Sequence, residues 1–135
     1  MNIEPKTHYL YTLKELGDQR GGLIVVNSEA EIPFIIKRVF YNYKTSEDAI
    51  RGGHANISSS FVMVSVNGSC VVEVDEGGMT KEYLLDSPEK ALFIGKGLWK
   101  SMRGFSADNV LLVFSDNPYD ANEYIQSYED YINFC

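Results

Sequence analysis

Cysteine and histidine are scarce in this chain, with two of each among 135 residues. Cys70 and Cys135 are too few for the dense disulfide framework that staples small secreted domains. Cys70 lies in an apolar stretch and reads as sheet or core filler, and Cys135, the last residue, as an ordinary thiol. Proline is also rare, at four residues, whereas hydrophobic residues make up 44% and aromatics 13%. That balance excludes a disordered chain. Positive charge is in deficit: 12 Lys and Arg against 19 Asp and Glu leave a formal net charge of -7 and a pI near 4.7. Such a surface argues against polymeric nucleic acid. A small anionic ligand stays open, because it needs only a few cations gathered locally. No apolar run approaches the roughly 18 residues of a membrane span, and the opening MNIEPKTHYL has neither the basic nor the apolar region of a secretion signal. A cytoplasmic protein with no membrane partner is expected.

What the chain has in quantity is short apolar runs. Its length suits one domain, residues 1–135, burying roughly two-thirds of its unfolded surface around one core. The runs are LIVV (Leu23 to Val26), FIIKRVFYNY (Phe34 to Tyr43), FVMVSV (Phe61 to Val66), CVVEV (Cys70 to Val74), KEYLL (Lys81 to Leu85), ALFI (Ala91 to Ile94) and VLLVF (Val110 to Phe114). Runs of this length, broken by turn residues and without a helical period, predict an antiparallel sandwich or barrel. Asn67-Gly68 predicts a type I′ hairpin pairing the third run with the fourth. Asp75-Glu76-Gly77-Gly78 and Asp86-Ser87-Pro88 mark the next turns. The tail differs in character. Asp120 with Glu123 has the form of a capping box, and Tyr124, Tyr128 and Tyr131 recur at helical spacing. One short C-terminal helix is expected, its tyrosines facing either the core or a partner.

One segment, Arg51-Gly52-Gly53-His54-Ala55-Asn56, gathers a cation, two glycines and an imidazole just ahead of an apolar run. Glycines let the backbone approach a ligand, and a histidine beside an arginine can act as a general base toward an anionic substrate. A turn carrying a surface histidine fits the same residues.

Other stretches give this segment a context. Asp18-Gln19-Arg20-Gly21-Gly22-Leu23 stands near the start, followed by Ile32-Pro33-Phe34 with Ile36-Lys37-Arg38-Val39. Val66-Asn67-Gly68-Ser69-Cys70 lies at the centre, Leu92-Phe93-Ile94-Gly95 with Leu98-Trp99 later, and Ser115-Asp116 through Tyr119-Asp120 and Tyr124-Ile125 at the end. In order and spacing these resemble the motifs of the sugar 3,4-ketoisomerases acting on dTDP-4-keto-6-deoxyglucose, whose members carry Arg-Gly-x-His-x-His at the central site. The resemblance covers nearly the whole chain. It implies an all-β, double-stranded β-helix fold (a cupin or jelly-roll barrel) with a short C-terminal helix, assembled as a homodimer.

The chemistry the resemblance implies is a metal-free tautomerisation. A base removes the C3 proton of a 4-keto sugar, an enediol forms, and C4 is reprotonated, with no cofactor. His54 matches the first motif histidine and would be the base. Arg38, Arg51 and Arg20 would hold the diphosphate or orient the sugar, and Tyr41 and Tyr43 are expected to line the barrel interior, Tyr41 near the chemistry. Asn56 replaces the second motif histidine; it can donate a hydrogen bond but cannot shuttle a proton. After it, Ile57-Ser58-Ser59-Ser60-Phe61 replaces the family's Lys-x-Leu-x-Gln. Lys100 follows Trp99 where relatives carry histidine or arginine, so it belongs among the substrate-binding candidates while the product's stereochemistry does not carry over. Metal-binding cupins pair spaced histidines with a glutamate and a later histidine; here only His54 and a remote His8, expected to be solvated, exist. The implied function is a dTDP-sugar isomerase supplying deoxysugars for O-antigen or capsule, and the alternative is a nucleotide-sugar-binding module with altered or lost catalysis.

Overall fold

The computed structural model describes residues 6–135. Two antiparallel five-stranded sheets face each other. The first runs β1 (His8–Thr12), β7 (Lys90–Ile94), β4 (Phe61–Asn67), β9 (Val110–Ser115), β2 (Arg38–Tyr43). The second runs β10 (Tyr124–Ile125), β3 (Arg51–Asn56), β8 (Trp99–Arg103), β5 (Cys70–Asp75), β6 (Thr80–Leu85). The chain crosses between sheets from β4 to β5 and back from β6 to β7, the connection of a jelly-roll barrel. The expected all-β cupin architecture is therefore present.

Period-two alternation sorts β5: Cys70, Val72 and Val74 enter the core between the sheets, while Val71 and Glu73 point away. In β4 the alternation disappears. Phe61 and Met63 join the core, but Val62 and Val64 pack into a second apolar cluster on the sheet's outer face with Leu13, Ile24, Val26, Ile32, Phe34 and Ile36. A strand buried on both faces reads as an unbroken apolar run. Cys70 is fully buried and free, as core filler.

Some local expectations need correction. Asn67-Gly68 does turn the chain, yet β4 pairs with β7 and β9 while β5 pairs with β6 and β8. A type I′ turn needs positive φ at both central residues, and here Gly68 has it (φ 67°) while Asn67 does not. Instead the Asn67 side-chain amide donates to the Asp108 carbonyl at 2.9 Å, tying this corner to the loop before β9. The turn at 75–78 does join paired strands, β5 and β6. LIVV is no strand: Ile24 and Val26 pack inward and Leu23 and Val25 face out, but no strand among the described residues pairs with it. His8 is not solvated. It lies in β1, with Nδ1 2.6 Å from the Tyr83 hydroxyl and Nε2 2.5 Å from Glu76 Oε1.

The tail also divides differently. Asp120 caps only a 3₁₀ turn, Ala121–Glu123, and the Glu123 side chain turns away to Ser59. Tyr124 then starts β10, and the short C-terminal helix α1 (Tyr128–Phe134) begins after Ser127, whose hydroxyl accepts from Asp130 N–H. Tyr131 faces the core and is fully buried; Tyr128 lies partly exposed. No helix among the described residues is long and apolar enough to cross a membrane.

Candidate active site

The Arg51–Asn56 segment is a strand, which removes the reading of a surface turn. Its pairing with β8 places His54 opposite Lys100 and Arg51 opposite Met102, with a register slip between Gly52 and His54. Gly52 and Gly53 sit at φ 77° and 73°, a region L side chains rarely adopt. A Cβ on Gly52 would lie 3.0 Å from the Lys100 carbonyl and 3.1 Å from Met102 Sδ. The inserted residue reverses the pleat, so Arg51 and His54, an odd number of residues apart, line the same cavity. This is the physical use of arginine, glycines and histidine at that spacing.

That cavity, about 130 Å³, opens between the sheets, with Asn42 from β2, Phe61 from β4, Lys100 from β8 and Tyr124 from β10 on its walls. Arg51 Nη2 donates to Asn42 Oδ1 at 2.7 Å. The Tyr124 ring packs 4.8 Å from that of His54. Lys100 is only 3% exposed; its Nζ donates to Asn56 Oδ1 at 2.8 Å and sits 4.4 Å from the centre of the Phe61 ring. Arg38 stacks over Phe40 and Phe61 at 5.1 and 5.6 Å, and its Nε and Nη2 are buried without hydrogen-bond partners, as is Asn56 Nδ2. Buried, orphaned donors on a half-buried cation are what a bound anion or carbonyl oxygen would satisfy. Glu123 is anchored behind the site by Ser59 Oγ at 2.6 Å and Ser58 N–H at 3.3 Å.

These surroundings set the proton affinities. Burial, then the Lys100 and Arg38 charges, push His54 down to about 4, against a backbone hydrogen bond at Gly52 and the Glu123 carboxylate. His54 is therefore neutral at pH 7, with a lone pair free to take a proton. Burial brings Lys100 down to about 7; Arg38 adds to the effect and Glu123 opposes it. Among the described residues, no group of three or more His, Cys, Asp or Glu is arranged to hold a metal ion. A larger depression of about 770 Å³, walled by Tyr9, Ser58, Phe93 and Asp116 among others, contains neither histidine nor arginine and offers no comparable chemistry.

Of the residues singled out from the sequence, Arg38, Arg51, His54, Asn56 and Lys100 come together. Tyr41 and Tyr43 do not: they are 61% and 60% exposed on the outer face of β2. Arg38 faces inward, so the period of two sends Phe40 and Asn42 in with it and Tyr41 and Tyr43 out. Arg20 is paired to Asp18 at 2.6 Å with its side chain 86% exposed, in a surface loop that does not reach the cavity. Sequence reasoning missed Asn42, Phe61, Tyr124 and Glu123. Counting parity from Arg38 would have found Asn42; the contact between Glu123 and the serines has no local signal.

A family model described as "FdtA: WxcM-like, C-terminal" matches residues 6–135. The chain belongs to this FdtA family. Its FdtA-family relatives include the TDP-4-oxo-6-deoxy-alpha-D-glucose-3,4-oxoisomerase of Aneurinibacillus thermoaerophilus, 39% identical over 118 residues, which are 87% of this chain and 85% of that enzyme. Among solved structures, a 3,4-ketoisomerase from Helicobacter canadensis superposes with a TM-score of 0.93 at 36% identity, covering 96% of this chain and 97% of the other. A point mutant of the 3,4-ketoisomerase QdtA from Thermoanaerobacterium thermosaccharolyticum, in complex with TDP-4-keto-6-deoxyglucose, gives 0.91 at 32% identity over 94% and 92% of the two chains. The FdtA-family chain is thus an isomerase of the 3,4-ketoisomerase type.

Proposed function

We propose that this chain isomerises a TDP-4-keto-6-deoxyhexose to its 3-keto form by proton transfer through an enediol, without a metal ion. One observation carries the reading: neutral His54 lines the cavity between the sheets beside Arg51 and Lys100, with the orphaned donors of Arg38 nearby. His54 takes the C3 proton, acidified by the neighbouring carbonyl, and the electron pair runs toward O4. Arg38 and Arg51 hold the diphosphate or the sugar. Negative charge entering among these cations offsets the part of the depression that Lys100 and Arg38 cause, while the burial that is its larger cause stays. The QdtA complexes with TDP and with TDP-4-keto-6-deoxyglucose support a TDP-linked ligand. The proposed setting is cytoplasmic deoxysugar supply for O-antigen or capsule.

Incubation with TDP-4-keto-6-deoxyglucose in deuterated buffer, followed by NMR, tests this directly: deuterium enters at C3 or C4 and a 3-keto product accumulates. A nucleotide-sugar-binding module is the competing reading, favoured by Asn56, which cannot titrate. It predicts stabilisation by TDP with no exchange. TDP at about 100 times its dissociation constant raises stability by roughly 2.7 kcal/mol in thermal melts. Arg51→Ala removes on the order of 1.5–3 kcal/mol of that binding; an unchanged shift takes Arg51 out of the site.

A homodimer belongs to the same proposal. β2 is a sheet edge whose outer face exposes Val39, Tyr41 and Tyr43, an apolar strip that a second copy would cover. Light scattering at micromolar concentration is expected to give about twice 15.2 kDa; a monomer refutes it.

A further inference from the structure

Taking a proton from C3 is half of the isomerisation. Charge builds on O4, which must be protonated, and O3 must lose its hydrogen before C3 becomes the carbonyl. His54 handles the carbon-bound proton. Asn56 has none to exchange, and the arginines keep theirs at any working pH. The two departures from the family pattern, Asn56 and Lys100, turn out to be partners: Asn56 Oδ1 accepts from Lys100 Nζ at 2.8 Å, across 44 positions of sequence. Lys100 also stands directly opposite His54 in the β3–β8 pair and lines the same cavity.

Resting on the isomerase reading above, we propose that Lys100 is the proton shuttle for the sugar oxygens, aimed by Asn56. As His54 withdraws the C3 hydrogen, the C–H pair forms the C3=C4 bond, the carbonyl π pair moves to O4, and O4 takes a proton from the Lys100 ammonium. The product is the enediol, with His54 protonated and Lys100 a neutral amine. The amine then removes the O3 hydrogen, that O–H pair forms C3=O, and the C3=C4 pair collects the proton of His54 at C4. Both side chains return to their starting states and no oxidant or reductant is consumed. O3 and O4 are neighbours on the enediol, so one amine serves both.

The surroundings suit the task. An ammonium has three donors; Asn56 engages one, the Phe61 face lies against the group, and a donor remains for a ligand. The charged and titratable groups around Nζ are Arg38 from β2, Arg51 and the neutral His54 from β3, and Glu123 from the 3₁₀ turn. Burial, with Arg38 adding to it and Glu123 opposing, brings Lys100 to about 7, so acid and base forms are both populated at neutral pH. Asn56 is a positioning residue that accepts from either form.

The test compares Lys100→Met and Lys100→Arg with wild type. Lys100→Met is expected to lower kcat by on the order of 10²–10⁴-fold while the TDP-induced thermal shift persists. Lys100→Arg falls as far, since arginine keeps the charge but does not release the proton. Added ethylammonium restores part of the activity of Lys100→Ala, which a structural role would not allow. In wild type, kcat/KM rises through about pH 4 as His54 loses its proton and falls through about pH 7 as Lys100 does. The upper limb vanishes in Lys100→Met. Lys100→Met or Lys100→Arg within threefold of wild type overturns the shuttle and leaves the isomerase reading standing. Wild type inert on the keto sugar overturns the isomerase reading itself, and the shuttle with it. Should the variants fail to fold, ¹⁵N-lysine NMR of wild type decides: an Nζ titrating near 7 supports the shuttle, and an ammonium persisting above pH 9 overturns it.

Discussion

His54→Asn is expected to reduce turnover by on the order of 10²–10⁴-fold and to stop deuterium exchange at C3, while TDP still raises the melting temperature. The imidazole on the cavity wall is neutral at pH 7 and holds a free lone pair. Asparagine fills similar space next to Tyr124 but accepts no proton. Binding survives because the proposed phosphate cations, Arg38 and Arg51, are untouched. A variant that still exchanges C3 hydrogen at the wild-type rate removes His54 from the chemistry. The same substitution changes acid stability. His54 is depressed to about 4 in the folded chain, so the unfolded state, titrating near 6.5, takes up the proton first as pH falls. Wild type therefore loses up to roughly 3 kcal/mol between about pH 6.5 and 4. The variant has no such loss, and urea midpoints across that range measure the difference.

Phe61→Ala is expected to cost about 3–5 kcal/mol, a large part of the roughly 5–15 kcal/mol that holds a domain folded. Phe61 is 2% exposed in the core between the sheets, and its ring also faces Lys100 and Arg38. Truncation leaves a void beside two cations. The denaturant midpoint falls with an unchanged slope. Water entering the void relieves the burial that lowers Lys100, so the upper limb of kcat/KM moves to higher pH. A loss under about 1 kcal/mol would show the ring is dispensable to core and site alike.

The sequence by itself determined the fold class and the family. Short apolar runs separated by Gly, Asn, Asp and Pro can bury themselves only as paired strands, and most of the runs named are strands. Motif residues from Arg38 to Tyr124 then stand in one order along the chain, a linear property that needs no coordinates. Which residues meet was decided by the tertiary structure. Asn67-Gly68 looks locally like a hairpin, but pairing is a long-range choice, and burying both faces of β4 sends β5 to the other sheet. LIVV has strand alternation without a strand partner among the described residues, because alternation reports burial of one side and not hydrogen bonding. Within the site, the reversal of the pleat at Gly52-Gly53 brings Arg51 and His54 together, and a plain count of two along β2 turns Tyr41 and Tyr43 outward. Lys100, Asn56 and Glu123 are far apart in sequence. The proton affinity of Lys100 and the contacts these residues make come from burial and distance, and those quantities exist only once the sheets have closed on each other.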